Sequence, residues 1–399
     1  MKIPIIILLI AFSVASTNLS NSQKSVFVED NQEFSFNLYK KLGEEPGNII
    51  FSPYSISNAL AMTYAGARGE TEKQMAEVLR FTICRDSLHQ MFAEINRNLN
   101  KMSEKEGITL RSSNALWIEQ TYSLLEEFIR TMEKFYDAHL FQLDFINEYE
   151  KSRMRINDWV EEQTHNRIKN LLPPGTITPR TRLVLTNAIY FKGLWARQFN
   201  PDATRTMPFW TTLFDTVMVP MMHQKASLNY MENQLLQMLE LPYQGKELSM
   251  LILLPKERDG LTKLEEMLTA KNLSQWQESM SEQEVEVFLP RFECTKQFNL
   301  NDILIQMGMK DAFSEQKADF SGMEPKRELF ISSVMHKAFI EVNEEGSEAA
   351  AATAVTMILK VAPPKPIPVF KTDHPFFFLI QDKTTGIILF MGRISEPQD

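Results

Sequence analysis

A run of small residues near the carboxyl terminus constrains the fold of this chain more than any other stretch. After Gly346 the sequence reads Ser-Glu-Ala-Ala-Ala-Ala-Thr-Ala-Val-Thr-Met-Ile-Leu-Lys, and the next proline is Pro363. Consecutive alanines favour a helix, because alanine loses no side-chain entropy there. The same residues also fit a strand, since alternate positions from Ser347 to Leu359 share one face that is small at first and then apolar. The local sequence is therefore compatible with two conformations of this segment, a helix or a strand that can enter a sheet.

Length and charge limit the classes of function. The 399 residues are 44% hydrophobic, which is enough to bury a large core as one big domain or two ordinary ones. The net charge is −9, so neither nucleic acid nor an anionic membrane has electrostatic support as a partner. The basic residues between 88 and 105 are interrupted by glutamates. A glycosaminoglycan site needs a dense positive stripe and is therefore not expected there.

The amino terminus has the pattern of a secretory signal peptide. Lys2 precedes a short apolar run, and small residues follow at Ser13 and Ala15. The run is shorter than the roughly 20 apolar residues that a membrane-spanning helix needs. The pattern predicts a secreted, extracellular protein with a signal peptide at 1–15. Because no repeat or linker divides the rest, a single domain is expected at 16–399.

Two further predictions concern covalent modification. Asn18 and Asn272 each begin an Asn-Leu-Ser glycosylation acceptor sequence, and Asn272 is the better candidate because Asn18 lies almost at the expected cleavage point. Cys84 and Cys294 are the two cysteines of the chain. With so few cysteines, stability must come from the core, and we expect two free thiols rather than a bridge.

Hydrophobic periodicity outlines an alternation of helices and strands. Amphipathic helices are expected at 26–43, 88–102, 152–172 and 261–280. A serine-capped helix should begin after Ser52. The helix predicted at 152–172 should end at Pro173. The continuously apolar run 183–191 predicts a central strand that is buried on both faces. The final apolar residues predict a hairpin that turns at 383–386.

The motifs of common enzyme classes are missing from the sequence. It has no Gly-x-Ser-x-Gly elbow, no His-Glu-x-x-His zinc site and no glycine-rich phosphate loop, and its six histidines are widely scattered. We therefore expect neither an enzyme nor a cofactor or metal.

The segment that opens with Glu344 resembles the reactive-centre-loop hinge of the serpin family. The hinge residues are Glu344, Glu345, Gly346, Ser347, Glu348, Ala349, Ala350, Ala351, Ala352 and Thr353. This hinge sequence is most similar to the hinges of neuroserpin-like and ovalbumin-clade members of the family. The carboxyl-terminal Phe390, Gly392, Arg393 and Pro397 resemble the serpin signature, and the resemblance extends over nearly the whole mature chain. It implies a monomeric α+β protein with three β-sheets, about nine helices and an exposed reactive-centre loop at about 344–369.

The resemblance also implies roles for particular side chains. Six residues match family positions where the main sheet opens: Ser52, Ser55, Asn187, His336, Trp195 and Arg291. Asn187 and His336 are expected to share a polar network with the two serines where strands separate. Trp195 is expected near the top of the sheet, and Arg291 is expected to face Glu344.

The implied function is that of a secreted suicide-type inhibitor of serine proteases. Such an inhibitor traps the acyl-enzyme when its cleaved loop inserts into the main sheet. Counting as the family does, fourteen residues on from Gly346, places the scissile bond at Lys360-Val361. Lysine suits the acidic pocket of a trypsin-like protease, which would be the partner in a covalent complex.

Two alternatives remain at this point. The prolines after Val361 make the segment long and stiff for the family, so a chymotrypsin- or elastase-like protease is the second candidate target. It would cut after Leu359 or Met357, and Ile358 would occupy an adjoining subsite. The other alternative is a non-inhibitory carrier or chaperone with the same fold, although the hinge lacks the charged, bulky or proline residues typical of that class.

Overall fold

The computed structural model of the chain describes residues 19–136, 138–345 and 366–397. The predicted signal peptide at 1–15, Asn18 and the hinge from Gly346 onward lie outside these ranges. The candidate cleavage positions Met357, Leu359 and Lys360 also lie outside them.

The described residues form nine α-helices and fourteen β-strands. The helices are α1 (Asn21–Leu42), α2 (Pro53–Gly66), α3 (Gly69–Leu79), α4 (Arg85–Ser103), α5 (Glu126–Tyr136), α6 (Tyr149–Gln163), α7 (Leu261–Glu266), α8 (Ala270–Glu278) and α9 (Asn301–Met307). The strands are β1 (Ile49–Phe51), β2 (Ile108–Glu119), β3 (His139–Leu143), β4 (Leu183–Gly193), β5 (Arg205–Trp210), β6 (Thr216–Glu232), β7 (Leu236–Pro242), β8 (Leu248–Pro255), β9 (Ser281–Pro290), β10 (Phe292–Asn299), β11 (Ile331–Val342), β12 (Val369–Lys371), β13 (Phe376–Asp382) and β14 (Ile388–Ile394). None of these helices is long and apolar enough to cross a membrane.

Helix α2 lies at the centre of the molecule. Ser52 caps it as predicted, since its hydroxyl oxygen accepts the backbone N–H of Ser55 at 3.3 Å, and Pro53 occupies the first helical position. All 14 residues of α2 are buried, so the helix is covered on every side. It packs against β2 and β4 on one side and against β14 on the other. Polar groups near its start therefore lie directly beneath the strands.

The five-stranded sheet has the order β10-β11-β4-β2-β3. The predicted central strand is confirmed, because β4 is the middle strand and ten of its 11 residues are buried. β4 runs parallel to β11 and antiparallel to β2. One face of this sheet joins the main core, and the other packs under α6 through a second cluster that includes Trp117, Ile156 and Val160.

The other sheet has nine strands, and it corrects the expected number of sheets. Strand β6 is 17 residues long; its first part pairs with β5 and its middle with β9, whereas Tyr230–Glu232 pair with β7. Strand β6 thus joins two groups of strands, β5 and β9 on one side and β7 with β8 on the other, into a single sheet. The described residues therefore form two hydrogen-bonded sheets and not three. The predicted mixed α+β class is confirmed, as is the final hairpin of β13 and β14.

Two of the predicted helices are shorter than expected. Helix α6 ends at Gln163 and not near 172, because Thr164 caps the end and His165 and Asn166 have positive φ angles of 50° and 61°. The predicted helix at 261–280 is divided into α7 and α8. Thr269 interrupts it in an extended conformation, and its hydroxyl oxygen accepts the backbone N–H of Asn272.

Candidate functional site

The parallel strands β4 and β11 form the frame of the candidate site. Nine pairs of residues join them, from Ile331 opposite Leu183 to Ile340 opposite Phe191. Strand β11 leads within three residues to Glu345, the last described residue before the predicted loop. A segment that turned back from there and entered between β11 and β4 would run antiparallel to both. One parallel ladder would be replaced by two antiparallel ladders, which are slightly more stable per residue.

A buried polar network crosses the middle of this strand pair. His336 of β11 lies opposite Asn187 of β4, and its Nδ1 is 2.5 Å from Asn187 Oδ1. The amide nitrogen of Asn187 donates to the Ser55 hydroxyl oxygen and to Asn114 Oδ1. The backbone N–H of Ser52 points to His336 Nε2 at 3.1 Å. The network thus ties two strands of the sheet to the start of α2.

The contacts of His336 fix its protonation state. A backbone N–H can only donate, so His336 Nε2 accepts from Ser52, and the ring proton is on Nδ1, where it donates to Asn187 Oδ1. The imidazole is completely buried and has no acid beside it. Burial lowers the pKa of His336 to about 3, so the ring stays neutral over the physiological range.

This burial predicts a loss of stability in mild acid. Between about pH 6.5 and pH 3, His336 binds a proton in the unfolded chain but stays neutral in the folded chain. The free energy of unfolding therefore falls as the pH is lowered through this range. Between pH 7 and pH 5 the loss from this one group is about 2 kcal/mol. Urea unfolding at both pH values should show it, and the His336→Gln variant should show a drop that is smaller by that amount. An equal drop in both proteins would contradict the assignment.

The top of the strand pair is closed by aromatic packing. The Trp195 ring stacks on Tyr243 with centroids 4.5 Å apart, and its indole N–H donates to the Asn343 carbonyl oxygen at 2.9 Å. Trp195 is buried, as its predicted position near the top of the sheet requires. Its hydrogen bond holds the backbone just beyond β11, where the predicted hinge begins.

Glu344 and Arg291 form the predicted pair at the base of the hinge. Arg291 Nη2 is 2.6 Å from Glu344 Oε1, and Arg291 Nε is 3.1 Å from Oε2, so the contact is bidentate. Thr204 also donates to Oε1 at 2.6 Å. The Glu344 side chain is 5% exposed and that of Arg291 is 42% exposed. Burial alone raises the pKa of the Glu344 carboxyl, but the hydrogen bonds from Arg291 and Thr204 outweigh it and leave the pKa below its ordinary value.

The structure brings together most of the predicted site residues that it describes. Ser52, Ser55, Asn187 and His336 meet in one network, while Trp195, Arg291 and Glu344 meet at the top of the strand pair. Glu345 is described at the edge of the loop. The roles proposed for these residues stay predictions.

Three partners of these residues were missed in the sequence. Ser112 and Asn114 join the network from β2, and Thr204 joins Glu344. A signal for the first two is present, because Arg-Ser-Ser-Asn interrupts the otherwise apolar strand from Ile108 to Ile118. Thr204 carries no such signal, since it lies in an ordinary polar turn.

The structure describes both cysteines and the glycosylation candidate Asn272. Cys84 is exposed and Cys294 is buried, and both are free thiols as predicted. Burial raises the pKa of Cys294 to about 11. Asn272 lies in the first turn of α8, and its side-chain nitrogen, to which a glycan would be attached, donates to the Met267 carbonyl oxygen at 2.7 Å. This bond would have to break for a glycan to be present.

Comparison with known proteins identifies the family. The family model described as "Serpin (serine protease inhibitor)" matches residues 29–397. The chain is a serpin. It is 43% identical to the leukocyte elastase inhibitor of Equus caballus, over 92% of this chain and 98% of that protein. It is 44% identical to Serpin B6 of Macaca fascicularis, over 93% and 100%. The structure of uncleaved ovalbumin is similar with a TM-score of 0.84 and 32% identity, over 93% of this chain and 100% of that one. The family is one of protease inhibitors and not of enzymes.

The serpin signature at the carboxyl terminus has a structural explanation. Gly392 of β14 pairs with Ile50 of β1, and a Cβ atom at this position would lie 1.9 Å from the Ile49 carbonyl oxygen. Arg393 is buried; its Nε donates to the Gly47 carbonyl oxygen at 2.8 Å, and its Nη1 is 2.9 Å from Glu265 Oε1. These residues therefore join the carboxyl-terminal strand β14 to β1, to the turn before β1 and to α7.

Proposed function

We propose that this serpin inhibits serine proteases by inserting its cleaved reactive loop between β4 and β11. The observation that carries the proposal is the parallel pair itself, which continues directly into the hinge sequence. Strand β11 has 12 residues and so a length of about 40 Å, and the 14 residues from Ser347 to Lys360 can extend to about 46 Å. The cleaved segment is therefore long enough to pair along the whole of β11.

The chemistry of the trap follows from the protease mechanism. The protease serine attacks the carbonyl carbon of the cleaved bond, the amine on the carboxyl-terminal side leaves, and an ester joins the protease to the loop. Insertion of the loop moves this ester away from its original position before water can hydrolyse it. Strand addition of this kind is an established behaviour of serpin loops.

The class of target protease is proposed in two forms. The relatives named leukocyte elastase inhibitor, at 43% identity, support an elastase- or chymotrypsin-like target and a cut after Leu359 or Met357. The distance from the hinge glycine supports a trypsin-like target and a cut at Lys360-Val361. The names of the relatives give the first form more weight.

One experiment decides between these forms. The purified protein is mixed with an elastase, a chymotrypsin and a trypsin, and the mixtures are run on denaturing gels. An inhibitor gives a denaturant-resistant complex, and the released peptide begins at Val361, Lys360 or Ile358 according to the bond that is cut. Cleavage without any complex would overturn the inhibitory proposal and leave a non-inhibitory carrier or chaperone.

The pair at the base of the hinge leads to a second prediction. Arg291→Ala removes two hydrogen bonds and the facing positive charge from the buried Glu344 carboxylate, at a cost of about 1–3 kcal/mol. The top of the strand pair should open more readily, and inhibitory activity should decay about five times faster or more at 45 °C. Arg130→Ala, which breaks an exposed pair with Glu126, is the control and should not change the decay. Equal decay in both variants would count against a restraining role for Arg291.

Secretion and glycosylation remain part of the proposal. The signal-peptide pattern supports export of a single domain that begins after Ala15. Expression in animal cells, followed by amino-terminal sequencing of the protein from the medium, tests it. Treatment with a glycosidase tests Asn272, whose side-chain nitrogen is already hydrogen-bonded.

A further inference from the structure

A phenyl ring is exposed at the tip of the hairpin between β5 and β6. Phe214 is 89% exposed, more than any other large hydrophobic side chain that the structure describes. The tip is well ordered by hydrogen bonds, because the Thr212 hydroxyl oxygen accepts the backbone N–H groups of Phe214 and Asp215 at 3.2 and 3.0 Å. The Thr211 backbone N–H also donates to the Asp215 carbonyl oxygen at 3.0 Å. A ring on such a tip loses little conformational freedom when a partner covers it.

A pocket of about 180 Å³ lies between the turn that follows β6 and helix α7. Four apolar side chains line it, of which Leu236 and Leu264 are buried and Leu235 and Met267 are partly exposed. An apolar cavity of about 150 Å³ is large enough to hold a benzene ring. A methionine thioether also makes favourable contacts with aromatic rings. The pocket therefore has the size and the lining that suit a phenyl ring.

The charges beside the ring and beside the pocket are complementary. Asp215 follows Phe214 in the hairpin, and both residues are exposed. Lys263 is exposed at the rim of the pocket, so it can pair with the aspartate of an incoming hairpin. The rim also carries Glu257, but the residue on the other side of Phe214 is the uncharged Leu213. The entry of this hairpin thus brings opposite charges together without adding a second acid.

One loop connects the hairpin with the pocket. The Arg258 guanidinium lies over the Trp210 ring at the base of the hairpin, 3.9 Å from the ring centroid. Glu257 and Gly260 of the same loop line the pocket. The ring and the pocket therefore adjoin opposite ends of the loop from 256 to 260. A two-fold axis through such a loop brings each ring to the pocket of the other copy, and the same contact then occurs twice in one interface.

We propose that two copies of this chain form a symmetric dimer in which Phe214 of each copy fills the pocket of the other. A second copy is the occupant that the chain itself supplies, since it carries both the exposed ring and a pocket of matching size and charge. Two such contacts in a small interface give a dissociation constant on the order of 10 µM. The dimer differs from the monomer that the family resemblance implies, and it does not depend on the proposed inhibitory function.

Sedimentation velocity on the purified protein tests the dimer. At about 100 µM, roughly tenfold above the expected dissociation constant, most of the wild type should sediment as a dimer. Phe214→Ser removes the ring and Leu235→Lys places a charge in the pocket, so each should weaken dimerisation at least tenfold. A wild type that stays monomeric, or variants that dimerise as it does, would overturn the proposal. Species that grow beyond a dimer would mean a head-to-tail contact and rule out the symmetric arrangement.

Two substitutions on another surface serve as matched controls. Ile146 precedes α6 and Met154 lies within it, and this helix covers the five-stranded sheet. Ile146 is 40% exposed and Leu235 is 39% exposed, so Ile146→Lys introduces the same charge at equal exposure. Ile146→Lys and Met154→Ser should both dimerise normally, and thermal unfolding shows that all four variants keep the fold. Loss of the dimer in either control would mean that the contact lies elsewhere.

A mixture of the two defective variants tests the exchange of rings. Phe214→Ser keeps the pocket and Leu235→Lys keeps the ring, so neither variant can form the contact with itself. A mixed pair can form one of the two contacts. The equimolar mixture should therefore contain more dimer than either variant alone at the same total concentration. If mixing adds no dimer, Phe214 does not enter the pocket and the proposal is wrong.

Two further measurements exclude other causes of association. Ala349→Glu changes the predicted reactive loop and should dimerise like the wild type, because the ring and the pocket lie outside that loop. Loss of the dimer in this variant would mean association through the loop and contradict the proposal. Phenol is the free aromatic probe, and its binding is followed by NMR. If phenol binds at the pocket of a monomeric wild type, the pocket takes a small aromatic ligand and not a second copy.

Discussion

Ala349→Glu will turn the protein from an inhibitor into a substrate of the same protease. Ala349 belongs to the alternate positions that must enter the sheet when the loop becomes a strand. A buried carboxylate without a partner costs several kcal/mol, and every 1.4 kcal/mol slows insertion about tenfold relative to hydrolysis of the acyl-enzyme. The number of inhibitor molecules consumed per trapped protease should therefore rise at least tenfold. Titration of the protease on denaturing gels measures this number.

The next residue provides a matched control. Ala350→Glu introduces the same side chain one position later, on the opposite face of the strand, where Glu348 already lies. This variant should trap the protease nearly as well as the wild type. If both variants lose inhibition equally, the loop does not insert with the proposed alternation. If Ala349→Glu still traps the protease, the inserted segment begins elsewhere.

The sequence predicts strand β4 and helix α2 well because their own residues decide them. The run 183–191 is apolar at every position but two, and only a strand buried on both faces accommodates that. The sequence Ser52-Pro53 both caps a helix and fixes its first turn. In both elements, the local residue preferences and the tertiary environment favour the same secondary structure.

Helix α6 shows where local pattern fails. Ile168, Leu171 and Leu172 continue the helical spacing of apolar residues beyond Gln163, so the sequence favours one long helix. These residues are buried as the pattern indicates, but they lie in an irregular segment and not in a helix. Asn157 holds that segment in place, since its side chain bonds to both the N–H and the carbonyl oxygen of Leu172. A tertiary contact of this kind leaves no periodic signal.

The candidate site depends on pairings that local sequence does not contain. Asn187 and His336 are 149 positions apart, and only the register of β4 and β11 makes them neighbours. The family resemblance supplied this pair, as it supplied Arg291 with Glu344.

Asn187→Ala should cause the largest loss of stability of any single substitution in the network. The change leaves the Nδ1–H of His336, the Ser55 hydroxyl and Asn114 Oδ1 without their shared partner in a buried place. The loss in free energy of unfolding should be about 4 kcal/mol, measured by urea denaturation at pH 7. Because the network crosses the strand pair, inhibitory activity should also decay faster at 37 °C.

A second asparagine separates this effect from general destabilisation. Asn48 makes three hydrogen bonds to the backbone of Ser395 and Glu396. It lies just before β1 and takes no part in the network between β4 and β11. Asn48→Ala should lower the free energy of unfolding by about 1–2 kcal/mol while its inhibitory activity decays at the wild-type rate. If Asn187→Ala is destabilised without faster decay, the network stabilises the fold but does not control the opening of the sheet. Faster decay in Asn187→Ala alone means that separation of β4 from β11 limits loop insertion, and that Asn187 helps to set its barrier.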